Sequence, residues 1–571
     1  MKLTPIVSAM LLASSSAVYA ASYEVQEIPL SDTVNQHFAV SIDNQGMTLS
    51  TGRVRYNPPI DLSLFDPDNH FGLSDPDAAA EGNFNVNDLS IVYQDLTAAS
   101  TSGDVRLQKL SNVLAYSSDG TEVSYVNGFD TETEATNGYT YSLLTAATDN
   151  VNGTHIVGNM AGPYSVVNYV DENDAEQVYV VNNFAQRGFV QVGENVVELV
   201  PEFARAGGFS FAAAINDNLQ VAGISSVGAS DPITELLDNC EDAEIRPDLP
   251  LEVCNYLLYN TNNFAQAFLT NTGFLVGNNR NTELESIPTS HLDMRPTLWQ
   301  LDANGNILST QIFDLLHTPE EFSLNMYTRV TDINNDGVMV GFTTTDDTPR
   351  EGGLIAVATA FENGAAERLF ESDQIKASYA MGINDNDYVV GFYPQIVNDI
   401  IRNRMFVFNR QTDELRLPDG FFVTSTTYPR AINNNNLVVG DAESDVLDPS
   451  TRKVSGFLYD IDNDTFTNLN DLLPCDSPYF IISANDINDE NQIIADAQIN
   501  RPRKDITGEL ISDETDTGDV VVSVILNPTG AAPSDCSSED DDTIERQGAS
   551  NSLFIALGLL VISVFRRKIK S

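Results

Sequence analysis

The sequence predicts an all-β fold, a β-propeller of seven four-stranded blades closed by pairing of its N- and C-terminal strands. Three observations predict it. A short phrase recurs along the chain, apolar strands precede each copy, and the two ends supply complementary parts of one unit.

The phrase is Ala214-Ile215-Asn216-Asp217-Asn218-Leu219-Gln220-Val221-Ala222-Gly223. It returns from Asp332 to Gly341, and again at Ile383-Asn384 to Gly391, Ile432-Asn433 to Gly440 and Ile487-Asn488 to Ala495. A sixth copy runs Ser41-Ile42-Asp43-Asn44-Gln45-Gly46-Met47-Thr48-Leu49. A degenerate seventh, with a longer turn, runs from Asp149 to Gly158. In each copy the Ile ends one strand. Asn, Asp or Gly then make the turn, because these residues tolerate positive φ and bond their own backbone. Two apolar residues open a second strand, and a Gly closes it where another backbone comes near. A helix is excluded: the apolar positions lack the three-four spacing, and Asn-Asp runs resist helix interiors.

Ahead of the phrases lie apolar strands. They are Arg187-Gly188-Phe189-Val190-Gln191, Pro296-Thr297-Leu298-Trp299-Gln300, Arg404-Met405-Phe406-Val407-Phe408-Asn409 and Ser455-Gly456-Phe457-Leu458-Tyr459-Asp460. A unit therefore holds about four strands. The Ile positions 215, 333, 383, 432 and 487 are separated by 118, 50, 49 and 55 residues. The long interval indicates an insertion near residues 227–290, and a second insertion is expected near 57–138. At the ends, Val520 to Leu526 is a strand with no phrase after it, while the segment from Tyr23 carries a phrase without its opening strand. Pairing the two completes a blade and removes an exposed edge. An open solenoid is the competing architecture.

Composition narrows the function. The chain has 29 basic and 82 acidic residues, a net charge of −53. Nucleic-acid binding is excluded, since phosphate contact needs basic patches. Solubility or tolerance of salt explains the charge, with divalent-cation binding as the sharper alternative. Four cysteines fit disulfides in an exported chain better than a metal site. Cys240 and Cys254 lie in the second insertion, and Cys475 and Cys536 would tie the last blade to the closing segment.

Both ends carry targeting signals. Residues 1–20 form a secretory signal, with Lys2, an apolar run and Val18-Tyr19-Ala20 before a signal-peptidase cut between Ala20 and Ala21. An acidic linker (531–547) leads to Gly548-Ala549-Ser550, an apolar stretch from Leu553 to Phe565, and Arg566-Arg567-Lys568. That stretch is short for a bilayer span, and its basic end marks the cytoplasmic side.

This tail, residues 548–571, resembles the GlyGly-CTERM sorting signal of Gram-negative bacteria, with Gly-Ala in place of Gly-Gly. The resemblance implies cleavage by a rhombosortase and export by type II secretion. The alternative is a protein anchored in the inner membrane with its ring outside. The phrases, over residues 23–528, resemble those of HAF-repeat extracellular proteins. That likeness implies location and shape and no established activity.

No catalytic constellation is legible. There is no HExxH, nucleophile elbow, P-loop or dinucleotide fingerprint. The five histidines read as surface or turn residues. Calcium is the one cofactor suggested: Asp332-x-Asn334-x-Asp336 and Asp460-x-Asp462-x-Asp464 have the oxygen spacing of a calcium loop. Neither has Glu at position twelve, and structural or solvated turns are the first reading of both. The expected function is a non-enzymatic binding or scaffold module. The alternative is an extracytoplasmic hydrolase or lyase acting on polysaccharide, with carboxylates at the channel.

Overall fold

Seven four-stranded antiparallel sheets stand around a common axis. A computed structural model of the chain describes residues 22–532, apart from 103, 131, 134–137, 140–144, 171–173, 245, 247–249, 262–291, 318–327, 346–354 and 449–450. The blades start from the inside with Val34–Ile42 (blade 1), Thr145–Val151 (blade 2), Ser210–Ile215 (blade 3), Thr328–Ile333 (blade 4), Tyr379–Ile383 (blade 5), Thr427–Ile432 (blade 6) and Phe480–Ile487 (blade 7). Each innermost strand packs against the next, and blade 7 returns to blade 1.

The ring closes as the two ends predict. Blade 7 takes three strands from the C-terminal side, the last being Thr517–Pro528, and its outermost strand, Tyr23–Glu27, from the N-terminal side. Tyr23 lies opposite Pro528 and Glu27 opposite Val524. The core lies between successive sheets. Phe211, Ile224 and Leu298 of blade 3 pack on Val330, Met339 and Phe361 of blade 4. Trp299 is fully buried between blades 2 and 3.

The phrase is the turn between the first and second strands of a blade. The apolar strands ahead of it are the third strands of the preceding blade. The fourth phrase residue after the Ile takes positive φ in six blades: Gly46, Leu219, Gly337, Asp387, Asn436 and Asn491. The closing Gly has a steric cause. A Cβ on Gly223, Gly341, Gly391 or Gly440 would stand 1.9–2.1 Å from a carbonyl oxygen of the neighbouring first strand. In blade 2 the turn is shorter rather than longer than expected. Val151 pairs with His155, enclosing three residues, whereas Ile215 pairs with Val221 and encloses five.

The insertions differ from their expected bounds. The first is residues 56–112; Val113–Ser118 and Val123–Val126 return to blade 1 as its third and fourth strands. The second holds two helices, Asp231–Glu241 and Leu251–Thr261, joined by the Cys240–Cys254 disulfide with a Cα–Cα distance of 5.8 Å. A third, a hairpin of Tyr164–Val170 and Glu176–Asn182 in blade 2, was not foreseen. All three leave between the second and third strands of adjacent blades, so they share one face. They also touch: the Val180 N–H donates to Val105 O at 2.7 Å, and Val181 packs on Val253 and Tyr256.

Three histidines correct the surface expectation. His37, His70 and His155 are buried. His37 stacks on Tyr116, and burial holds its pKa down to about 4. His70 pairs through Nδ1 with Asp95 at 2.9 Å. His155 Nδ1 lies 2.9 Å from Thr154 Oγ1, and burial lowers its pKa too.

Candidate functional site

The phrases converge on the mouth of the central channel, a polar cavity of about 270 Å³. Their Asn and Asp side chains do more than form turns. Asn433 shows the pattern. Its Oδ1 accepts from Asn435 N and Leu437 N, which fixes its own turn, and its Nδ2 donates to Asn488 O of blade 7 at 2.9 Å. Asn216 donates likewise to Asn334 O, Asn334 to Asn384 O, Asn384 to Asn433 O, and Asn488 to Asp43 O. The chain of donors thus runs from blade 3 round to blade 1. There the residue is Asp43, because blade 2 with its shorter turn presents an N–H. Gly153 N donates to Asp43 Oδ2 at 2.5 Å.

The next residue builds an outer belt. It reads Asp217, Asn335, Asp385, Asn434, Asp489 and Asn44 on blades 3, 4, 5, 6, 7 and 1. Each backbone N–H from Asp217 to Asp489 donates to the Oδ1 of the following member at 2.8–3.0 Å. The amides of Asn335 and Asn434 each donate to the carboxylates on both sides, and Asn44 donates to Asp489. Alternation keeps like charges apart and gives every carboxylate a donor.

Below the belt lie three half-buried carboxylates on the cavity wall. Each first strand bulges near its end, as between Val330 and Asp332 or Ala484 and Asp486. A bulge unpairs backbone groups. Asp332 accepts from its neighbour Ile333 N and from Ile383 N of blade 5, both at 2.8 Å. Asp486 serves Ile487 N and Ile42 N of blade 1, and Asp149 serves Asn150 N and Ile215 N of blade 3. Desolvation raises all three pKa values, Asp149 to about 8 and Asp332 to about 7, with repulsion from neighbouring carboxylates adding to the rise: Asp486 on Asp149 and Asp332, and Asp43 on Asp486.

The residues expected to bind calcium have other partners. Asp332 and Asn334 bond backbone groups as described, and Asp336 is exposed at the turn. Asp460 accepts from Asn463, Asp462 from Asn436, and Asp464 from the Tyr459 hydroxyl. Among the described residues, no three His, Cys, Asp or Glu side chains form a group that could hold a metal ion. Cys475 is disulfide-bonded. Cys536, Ala20, Ala21, Gly548 and Ala549 lie outside the described residues. Among the described residues, no helix is long and apolar enough to cross a membrane.

The opposite face differs in character. Every exposed large apolar side chain among the described residues, except Leu308, lies in or beside connections on the insertion face. Phe71 is 98% exposed, Ile396 73% and Ile401 66%.

Fold and channel together define a closed seven-bladed propeller whose blades are stitched by side-chain amides and carboxylates. The chain belongs to the family described as "Protein of unknown function (DUF3466)", whose model matches residues 2–568. No curated protein matches it. Among solved structures, the β-propeller domain of the Trilobed protease from Pyrococcus furiosus, described as having an open velcro topology, is 8% identical with a TM-score of 0.36; the match covers 81% of this chain and 92% of that one. A Pyrococcus horikoshii acylaminoacyl peptidase is 8% identical with a TM-score of 0.29, over 62% of this chain and 49% of that one. A Mycobacterium tuberculosis puromycin-hydrolyzing peptidase is 7% identical with a TM-score of 0.32, over 84% and 61%. The chain thus spans about half the length of the second and under two thirds of the third. Nothing about activity passes from them to this chain.

Proposed function

We propose that the protein is an exported, non-enzymatic binding module that engages its partner through the insertion face. The observation that carries this reading is the division of labour between the two faces. On the channel side, Asp149, Asp332 and Asp486 accept backbone N–H groups from neighbouring blades, which is a structural task. On the other side, three packed insertions and long hairpins present Phe71, Val166, Ile396, Ile400 and Ile401 to solvent. Exposed apolar groups gathered on one face mark contact surfaces. The Cys240–Cys254 disulfide supports an oxidising destination, and the N-terminal signal and sorting-type tail support export to the cell surface.

The test is a screen of the purified ectodomain on a glycan array and a panel of chromogenic hydrolase and lyase substrates. Saturable binding without turnover is expected. Binding should weaken at least tenfold in Phe71→Ser or Ile400→Ser/Ile401→Ser, a loss of about 1.4 kcal/mol or more. Turnover abolished by Asp332→Asn with the fold intact would establish the hydrolase or lyase alternative.

A further inference from the structure

Ser41 sits between two carboxylates. Its Oγ is 2.9 Å from Asp149 Oδ1 and 2.9 Å from Asp486 Oδ2. A hydroxyl has one hydrogen and can donate to only one of them. If both were ionised, the other contact would set two lone-pair oxygens against each other. The geometry is satisfied when one carboxyl keeps its proton and donates to Ser41 Oγ, while Ser41 donates to the other.

The place of this trio gives it consequence. Asp486 belongs to blade 7, Ser41 to blade 1 and Asp149 to blade 2. Blade 7 is the one assembled from both ends of the chain. Asp486 also holds Ile42 N of blade 1, and Asp149 holds Ile215 N of blade 3. We infer that Ser41, Asp149 and Asp486 form a proton-dependent latch across the closure of the ring. With one shared proton it locks blades 7, 1 and 2; without it those blades separate more readily.

The surrounding charges favour the proton. Asp332 faces both carboxylates, and Asp43 faces Asp486. Among the described residues, Arg430 is the sole basic side chain lining the cavity, and its Nε is taken by Asp441 at 2.6 Å, with Asp496 also near it. Among the described residues, no basic group bonds Asp149 or Asp486. Burial acts in the same direction, raising both groups above the ordinary carboxylate range. The folded chain therefore holds a proton that the unfolded chain releases above about pH 4, so this contribution to stability declines from about pH 4 to about pH 8 and is level beyond.

The experiment is calorimetric melting of the purified protein from about pH 5 to about pH 9 at fixed high ionic strength. The wild-type Tm is expected to fall by about 3–4 °C between pH 5 and pH 8 through this site. Asp149→Asn leaves an acceptor for Ile215 N and presents a permanent N–H to Ser41, at the cost of the Asn150 N contact on the same side of the group. Its profile should lose that fall, and a wild-type slope in the variant would overturn the proposal. Should the variant fail to fold, infrared spectra of wild-type protein with isotope-labelled aspartate decide. A protonated aspartyl carbonyl band that outlasts the titration of Asp332 near pH 7 and disappears by about pH 9 supports the latch; its absence at about pH 7.5 overturns it.

Discussion

Replacing Asn433 with Asp separates a turn-forming role from a stitching one. Asp makes the same kind of turn as Asn, since both bond nearby backbone through Oδ1. Its second oxygen cannot donate. In the native ring, Asn433 Nδ2 donates to Asn488 O at 2.9 Å and to Asn491 Oδ1 at 2.8 Å. Asn433→Asp turns both contacts into oxygen facing oxygen at a site only 4% exposed. Losing two hydrogen bonds costs about 1–3 kcal/mol; the Asn488 carbonyl keeps Asn491 N as a donor at 3.0 Å, but the new carboxylate oxygen, buried against two acceptors, adds about 1–2 more, so about 3–4 kcal/mol is expected. Unfolding entropy of about 2.1 cal/mol/K per residue over roughly 500 residues gives about 1 kcal/mol per degree, hence a Tm drop of about 3–4 °C. Differential scanning calorimetry at neutral pH reads this directly. Asn433→Ala should fall at least as far, because it also removes the two turn bonds. A variant Asn433→Asp melting within half a degree of wild type would refute the stitching and return the phrase to a plain turn.

Other outcomes follow from the same structure. Gly391→Ala would set a Cβ 2.1 Å from Tyr379 O. It should destabilise by several kcal/mol, whereas Gly193→Ala, with open space around the new atom, should cost under about 1 kcal/mol beyond its positive-φ strain; parallel urea melts compare them. Deleting residues 22–28 removes the outer strand of blade 7 and exposes the edge of Thr517–Pro528. Light scattering should show concentration-dependent self-association that the parent chain lacks. Reducing Cys240–Cys254 closes no wide loop, so it should cost about 3 kcal/mol within the insertion, seen as local hydrogen exchange in Asp231–Glu241 with the blades unchanged. Adding EDTA should move Tm by less than about 1 °C, because the side chains with calcium-loop spacing already hold protein donors; a larger drop would restore the cation.

Much of the architecture was legible because a propeller writes its geometry into the chain repeatedly. Seven phrases gave seven blades, and the unmatched Tyr23 and Val520–Leu526 segments gave the closure. What stayed hidden depends on neighbours in space. Asn216 and Asn334 lie 118 residues apart, and their bond exists only once the ring has formed. Asp149 and Asp486 could not be told from the other acids by type, since only the bulge and its unpaired N–H groups single them out. The hairpin of Tyr164–Val170 and Glu176–Asn182 reads like ordinary blade strands, because its local pattern is the same. His37 and His70 were missed because Tyr116 and Asp95, which cover and bond them, are brought in by the fold and not by neighbouring sequence.

The outer belt has a property that follows from counting. Two residue types taken in turn can fill a circle only when its number of places is even, and this circle has seven. One place must therefore break the order, and the chain puts the break at blade 2, where the loop is two residues shorter, Gly153 brings no side chain to the belt, and its N–H turns to Asp43 of the inner ring instead. The irregular copy that looks like decay in the sequence is thus the one the others require. A relative with six or eight blades would need no such copy, and the presence of a single shortened turn becomes a mark of an odd ring.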